Sequence, residues 1–259
     1  MKHAPHKETG NGRPLNPLKS VVFVSGSGTN MIAIHDTQLE LAASGDAPYC
    51  SIEAVFTNVP TCAGARKAAE RGIEVISLSS KRFFEILGAR PDDESLRDAY
   101  DAAALALIEA KLVPDLIVLA GYRRRLGRRA HERYHNRIVN LYPGDTTKPY
   151  LVRGVDPWLQ ALRAGEKEIR ATVFFSRWDR WFGPAVAQSP PVPLCGCTEA
   201  DAEEIAERIR LEAEHVVLPY AVHRLIAAGR VAVGDDDVVL IDGEPVGEGG
   251  YQMSPREAR

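Results

Sequence analysis

The stretch VVFVSGSGTNMIAI, from Val21 to Ile34, decides the reading of this chain. Four apolar residues predict a buried strand. Ser25-Gly26-Ser27-Gly28-Thr29-Asn30 then predicts a tight turn, and the apolar residues after it predict the start of a helix. Gly26 and Gly28 let the backbone turn sharply and bring bare N–H groups close to a guest. The helix aims the positive end of its dipole at the same place. A phosphate is the guest this pattern favours, and a tight turn without a ligand is the plain alternative. A dinucleotide site would need a third glycine where Met31 stands and an acid after the second strand, where Thr57-Asn58 stand. NAD is therefore the weaker reading.

Outward from this turn, short apolar runs alternate with helix-like stretches, as in βαβ units. After the first helix, from Asn30 to about Ser44 with Gly45 as its stop, IEAVFT (Ile52–Thr57) predicts a second strand. Ala63–Gly72 predicts a second helix, Val75–Leu78 a third strand, and Asp92–Lys111 a long helix. Leu116–Ala120 predicts a buried parallel strand ending at Gly121. The basic run YRRRLGRRAHERYHNR reads as a solvated helix from which one arginine could reach an acidic ligand. IVNLYPG and ATVFFS predict further strands, with the short helix WLQALRAG between them. Ala200–Gly229 predicts a C-terminal helix with Ile205, Ile209, Val216 and Leu225 on its apolar face, and Pro219 should kink or divide it. The tail predicts a β-hairpin turning at Gly234-Asp235-Asp236.

The totals bound the function. A chain of 259 residues fits one large α/β domain or two small ones. Hydrophobic residues make up 45% and charged residues 26%, as in ordinary soluble proteins. A formal net charge of −3 argues against nucleic-acid or membrane-surface binding. Four cysteines suit a reducing cytoplasm, and Cys195-Gly196-Cys197 lacks the second pair that a zinc site needs. Residues 1–18 are expected to be a disordered extension without the apolar core of a signal peptide. The domain is expected to span 19–251, followed by a tail over 252–259, in a monomer or homodimer.

Taken together, SGSGTN, AVFTN, PDLIVLAGYRRRL, RIVNLYPG, WLQALRAGEKE, ATVFF, Gly183-Pro184 and EAEH occur in one order and spacing over roughly residues 19–251. That series resembles the phosphoribosylglycinamide formyltransferase family. The resemblance implies a Rossmann-like formyltransferase fold: a mixed, mostly parallel sheet flanked by helices, in a single domain with a C-terminal helix and hairpin. It also implies formyl transfer from 10-formyltetrahydrofolate to the amine of a small phosphorylated acceptor. On that basis Gly26, Ser27, Gly28, Thr29 and Asn30 would hold the phosphate, and Glu214 would touch the ribose. Tyr122, Arg124 and Leu126, with Trp178 and Trp181 of the 176–182 loop, would form the folate pocket.

The chain departs from the family where the family does its chemistry. The family carries an asparagine and a histidine in one turn and an aspartate on a later loop. The asparagine amide donates a hydrogen bond to the oxygen that gains charge as the amine attacks, and the imidazole moves protons near neutral pH. Here the turn reads Asn140-Leu141-Tyr142-Pro143, and the aspartate position reads Trp181. Asn140 is kept. Tyr142, with an unperturbed pKa near 10, can donate a hydrogen bond but does not replace imidazole. Asp145 and Asp179 are the carboxylates that could fill the gap. Each has a plainer reading, Asp145 as a turn former and Asp179 as an exposed loop acid. Tyr142 could equally be a packed ring, and His215 and His223 read as structural. Two function classes stay open: an enzyme of altered proton chemistry, and a catalytically inactive relative that senses a phosphoribosyl compound or folate.

Overall fold

The computed structural model describes residues 17–46, 49–90, 93 and 96–258. The expected N-terminal extension therefore lies almost wholly outside the described residues, as does the expected helix start at Asp92. The chain forms two compact units, Met1–Asn140 with Ser176–Trp181, and Leu141–Phe175 with Phe182–Arg259.

The first unit is built on five parallel strands: β1 (Leu18–Val24), β2 (Cys50–Thr57), β3 (Glu74–Ser77), β4 (Leu116–Leu119) and β5 (Ile138–Tyr142), the last contributing Ile138–Asn140. Their order is β5-β4-β1-β2-β3. The chain runs outward from β1 to β3 on one side, then returns to place β4 and β5 on the other. Between β1 and β4 lies the topological switch point, where loops at the strand C-termini diverge and leave a crevice. Phe23 pairs with Leu119, and Leu119 pairs with Asn140. Asn140 thus sits level with the last residues of β1, two strand spacings or about 10 Å away.

The helices of this unit are α1 (Thr29–Ser44), α2 (Ala63–Glu70), α3 (Ser80–Ile86), α4 (Arg97–Glu109) and α5 (Arg128–Arg133). Gly45, at φ 71°, ends α1 as its sequence predicts. The α3 helix was not expected. Its signal is Ser79, whose Oγ accepts from the Arg82 amide at 3.2 Å. The basic run is helical only over Arg128–Arg133, so the expected solvated helix is shorter than its charge pattern suggested. Phe23, Phe56 and Tyr122 form the aromatic centre of the core, with ring centroids 4.7 Å apart for Phe23–Phe56 and 5.2 Å for Phe23–Tyr122.

The second unit contains α6 (Pro157–Arg163), β6 (Glu168–Ile169), β7 (Thr172–Phe175), β8 (Ala185–Gln188), β9 (Val192–Pro193), α7 (Ala202–Ile209) and α8 (His215–Pro219). Strands β10 (Val231–Val233), β11 (Val239–Ile241), β12 (Glu244–Pro245) and β13 (Tyr251–Gln252) follow. The β7–β8 pair is antiparallel and β13 joins β8 in parallel, so the pairing in the molecule is mixed but mostly parallel. The hairpin forms as expected between β10 and β11, with Asp237 at φ 62° in its turn.

The C-terminal helix does not divide at Pro219. The chain stays helical from Ala202 to Ile226 rather than dividing, with wide π turns over Arg210–Glu214 and Tyr220–Ile226. Proline has no N–H to donate, and a wider turn after it lets the winding continue. Each π turn also adds a residue and rotates the face that follows. Val217, not Val216, is fully buried for this reason, while Ile205, Ile209 and Leu225 point inward as their spacing predicts.

Candidate functional site

The glycine turn is assembled from three chain segments of the first unit. Gly28 sits at the N-cap of α1 with φ 72°, a left-handed conformation that favours glycine, and offers no side chain to cap the first turn. A Cβ on Gly28 would lie 2.5 Å from the Cα of Gly64. Gly64 in turn donates its N–H to the Gly26 carbonyl at 2.8 Å. Cys62 sets this crossing by capping α2, its Sγ accepting from the Ala65 amide at 3.4 Å. Ser25 closes the other side: its hydroxyl donates to Asn58 Oδ1 at 2.6 Å, and Asn58 Nδ2 donates to Ser80 Oγ at 3.1 Å. Two bare glycines in contact thus leave the start of α1 without side-chain bulk, with Ser27 exposed at the tip. That is the geometry in which helix-end amides accept an anion. Thr29 and Asn30, the first residues of α1, are half-buried.

The segment after β4 differs from expectation. Tyr122 and Leu126 are not pocket-lining side chains: they are 8% and 3% exposed and belong to the core. Burial pushes the Tyr122 hydroxyl well above the usual phenol range. Arg124 is held between the rings of Phe84 and Tyr100, 4.8 Å from each centroid. Apolar alternation in YRRRL accounts for this, because Tyr122, Arg124 and Leu126 face one way. What this segment offers a ligand is its backbone, together with the odd-numbered arginines.

Arg125 reaches the 176–181 loop, donating to the carbonyls of Trp178 at 2.8 Å and Arg180 at 3.4 Å. Arg128 covers the Trp178 ring at 5.3 Å and pairs with Glu132 at 2.7 Å. Arg177 donates to Asn136 Oδ1 at 2.6 Å. The loop is therefore anchored by the basic run. Trp178 keeps 44% of its surface exposed, Asp179 is exposed and Trp181 is half-buried. His131, 5% exposed, also faces this loop, with Nδ1 against the Gly127 carbonyl at 2.8 Å and Nε2 against Ser176 Oγ at 3.0 Å. Its pKa is lowered by burial and then by Arg177 and Arg125, outweighing the Gly127 bond and Asp179, so the ring is neutral at pH 7. Sequence reasoning passed over His131 and Gly64. Their signals were a histidine inside a basic run and a glycine in the first turn of a helix.

In the second unit, Tyr142 packs against Phe182 with centroids 4.8 Å apart. Its hydroxyl is pushed up to about 12 by burial, which the neighbouring Gln160 amide only partly offsets and Asp156 reinforces. It is a neutral phenol at pH 7. Gln160 is itself fixed, taking the Val152 N–H at 2.5 Å and donating to the Val155 carbonyl at 2.9 Å. Asp145 takes the turn-former role: Oδ1 accepts from the Thr147 amide at 3.0 Å, from the Thr147 hydroxyl at 2.7 Å and from Gln188 Nε2 at 2.6 Å. Glu214 closes the first π turn of the C-terminal helix and is half-buried. Asn140 is half-buried on β5 in the first unit.

A parallel sheet with a glycine turn and a helix start at its switch point defines the Rossmann-like α/β class. Comparison with known proteins narrows it. The formyl transferase family model matches residues 18–222, and the chain belongs to that family. It is similar to phosphoribosylglycinamide formyltransferase of Escherichia coli, 28% identical over 234 residues that cover 90% of this chain and 98% of the relative. The enzyme of that name from Mycobacterium tuberculosis is 33% identical over 221 residues, covering 85% of this chain and 91% of the relative. A trifunctional purine biosynthetic protein of Drosophila melanogaster is 30% identical over 205 residues, of which this chain spans only 14% of the length. Among solved structures, phosphoribosylglycinamide formyltransferase from Coxiella burnetii superposes with a TM-score of 0.73 at 26% identity, covering 92% of this chain and all of that one. Among the described residues no helix is long and apolar enough to cross a membrane.

Proposed function

We propose that this protein transfers a formyl group from 10-formyltetrahydrofolate to the amine of a small phosphorylated acceptor, phosphoribosylglycinamide or a close relative. The observation that carries this reading is the Gly28–Gly64 crossing, which opens the start of α1 to a phosphate in a chain that belongs to the formyl transferase family. Gly26, Ser27, Gly28, Thr29 and Asn30 hold the phosphate, and Glu214 corresponds to the family's ribose contact. The folate co-substrate supplies the formyl carbon. The chain offers its flat ring two kinds of partner. The Trp178 carbonyl, which takes one bond from Arg125, has a second lone pair, and the exposed Trp178 face offers stacking.

Asn140 donates its amide to the oxygen that gains charge during transfer. Tyr142 remains protonated at neutral pH and acts only as a donor. The acceptor amine therefore loses its proton to water or to a carboxylate outside the family's usual positions, for which Asp179 is the candidate. The protein works in the cytoplasm as a monomer or homodimer, with small molecules as partners. The test is direct. Purified protein is mixed with 10-formyltetrahydrofolate and phosphoribosylglycinamide, and tetrahydrofolate is followed with time. Turnover that falls by about 10²-fold or more in Asn140→Ala supports the enzyme. Ligand binding without turnover in the unaltered protein marks a sensor and refutes the proposal.

A further inference from the structure

Arg123 is set apart from its neighbours. Arg124 is held between two rings, Arg125 binds two carbonyls, and Arg128 pairs with Glu132. Arg123 is exposed, and its guanidinium makes no hydrogen bond or ion pair with any of the described residues. Its main chain, however, is fixed. The Arg123 N–H donates to Ser25 Oγ at 3.0 Å, and that hydroxyl donates to Asn58 at 2.6 Å. The backbone that launches this side chain is thus tied to the first residue of the glycine turn. The side chain leans the same way: its Nη2 lies 4.0 Å from the point where a Cβ on Gly26 would stand.

These facts place a permanent positive charge over the glycine turn, at the switch point between β1 and β4. A guanidinium needs an anionic partner to gain anything from such a fixed approach, and its two parallel N–H groups match phosphate oxygens. The turn alone presents only neutral amides and the partial charge of a helix end. Building on the phosphate reading above, we propose that Arg123 is a specificity-determining residue. It pairs with the phosphate monoester dianion of the acceptor and selects phosphorylated over unphosphorylated acceptors.

Binding of ribose 5-phosphate, measured by calorimetry on the full chain without folate, tests this apart from catalysis. Arg123→Gln removes the charge at an exposed position, and Arg123→Lys keeps the charge without the fork. The expected result is an affinity about tenfold weaker for Arg123→Gln, from loss of one charge-assisted contact. Arg123→Lys should fall between, with melting temperatures unchanged in both. Raising salt from about 50 to 300 mM should weaken the unaltered protein more than Arg123→Gln. Equal affinity and equal salt dependence in Arg123→Gln would overturn the role of Arg123 while leaving the phosphate site intact. Failure of the folded, unaltered protein to bind ribose 5-phosphate would overturn the phosphate reading and this proposal with it.

Discussion

Substitution of Gly28 by alanine separates the two constraints that shape the glycine turn. The first is conformational: at φ 72°, a residue with a Cβ is strained. The second is steric, since the new Cβ would stand 2.5 Å from the Cα of Gly64, backbone that has no free end to swing aside. Gly45 supplies the control. It has nearly the same backbone conformation, φ 71°, but nothing lies within 4 Å of its absent Cβ. Gly45→Ala should therefore cost only the left-handed strain, about 1–2 kcal/mol. Gly28→Ala should cost that amount plus an overpacking penalty of about 1–3 kcal/mol, roughly 2–5 kcal/mol in all. Gly64→Ala tests the contact from the other side: its Cβ would meet the Gly28 Cα at 3.1 Å and the Gly26 carbonyl oxygen at 3.2 Å. Urea denaturation at fixed pH gives the three free energies, and calorimetry with ribose 5-phosphate gives the binding loss. Gly28→Ala and Gly64→Ala should both weaken binding, and Gly45→Ala should not. If Gly28→Ala is no more destabilising than Gly45→Ala, the glycine crossing does not constrain the turn and the reasoning fails.

Asp101 is 1% exposed and accepts the Gly127 N–H at 2.5 Å, yet burial raises its carboxyl from 3.8 to about 6. The folded state thus prefers the protonated form, so this contribution is full below about pH 4 and is lost as pH rises through 6. Asp101→Asn should stabilise the protein at pH 7 by about 1–3 kcal/mol and flatten its stability between pH 4 and 6; an unchanged slope would exclude Asp101 as the cause. Arg125→Ala removes the bonds to the Trp178 and Arg180 carbonyls, so amides of residues 176–181 should exchange at least about fivefold faster, each bond contributing about 1 kcal/mol. Protection that stays the same would mean the loop is held elsewhere. Tyr142→His should introduce an inflection near pH 6–7 in kcat/KM that the phenol, at about 12, does not give, and should raise the rate. A profile identical to that of the unaltered protein would place residue 142 outside the reacting centre.

The parallel half of the fold was legible because its signals are local and mutually consistent. The central strands carry continuous apolar runs, Val21–Val24 in β1 and Leu116–Leu119 in β4, as buried parallel strands do, and Gly45 and Gly72 end the helices after β1 and β2. Where reading failed, a local change of winding or a contact distant in sequence had decided the outcome. No period in the C-terminal helix reveals a π turn, so Val216 was expected inward where Val217 is buried. The Gly28–Gly64 crossing links residues 36 positions apart, and nothing in AGARKAAE marks its glycine as a partner of the first turn.

The basic run carries this point furthest. By composition, RRRLGRR is a solvated face, and charge counting gives every arginine in it the same meaning. The structure gives them different tasks according to what lies opposite: rings for Arg124, carbonyls for Arg125, an indole and a carboxylate for Arg128. Packing of Tyr122 and Leu126 into the core fixes the alternation, and that alternation turns Arg123 and Arg125 away from Arg124. Arg125 therefore braces the 176–181 loop. Arg123 instead overhangs the retained glycine turn. The start of α1 is left without side-chain bulk by two glycines in contact, and a guanidinium leans over it. On the proposed reading, a turn that binds phosphate beneath a fixed positive charge is what selection for an anionic acceptor would preserve, whichever group accepts the amine's proton.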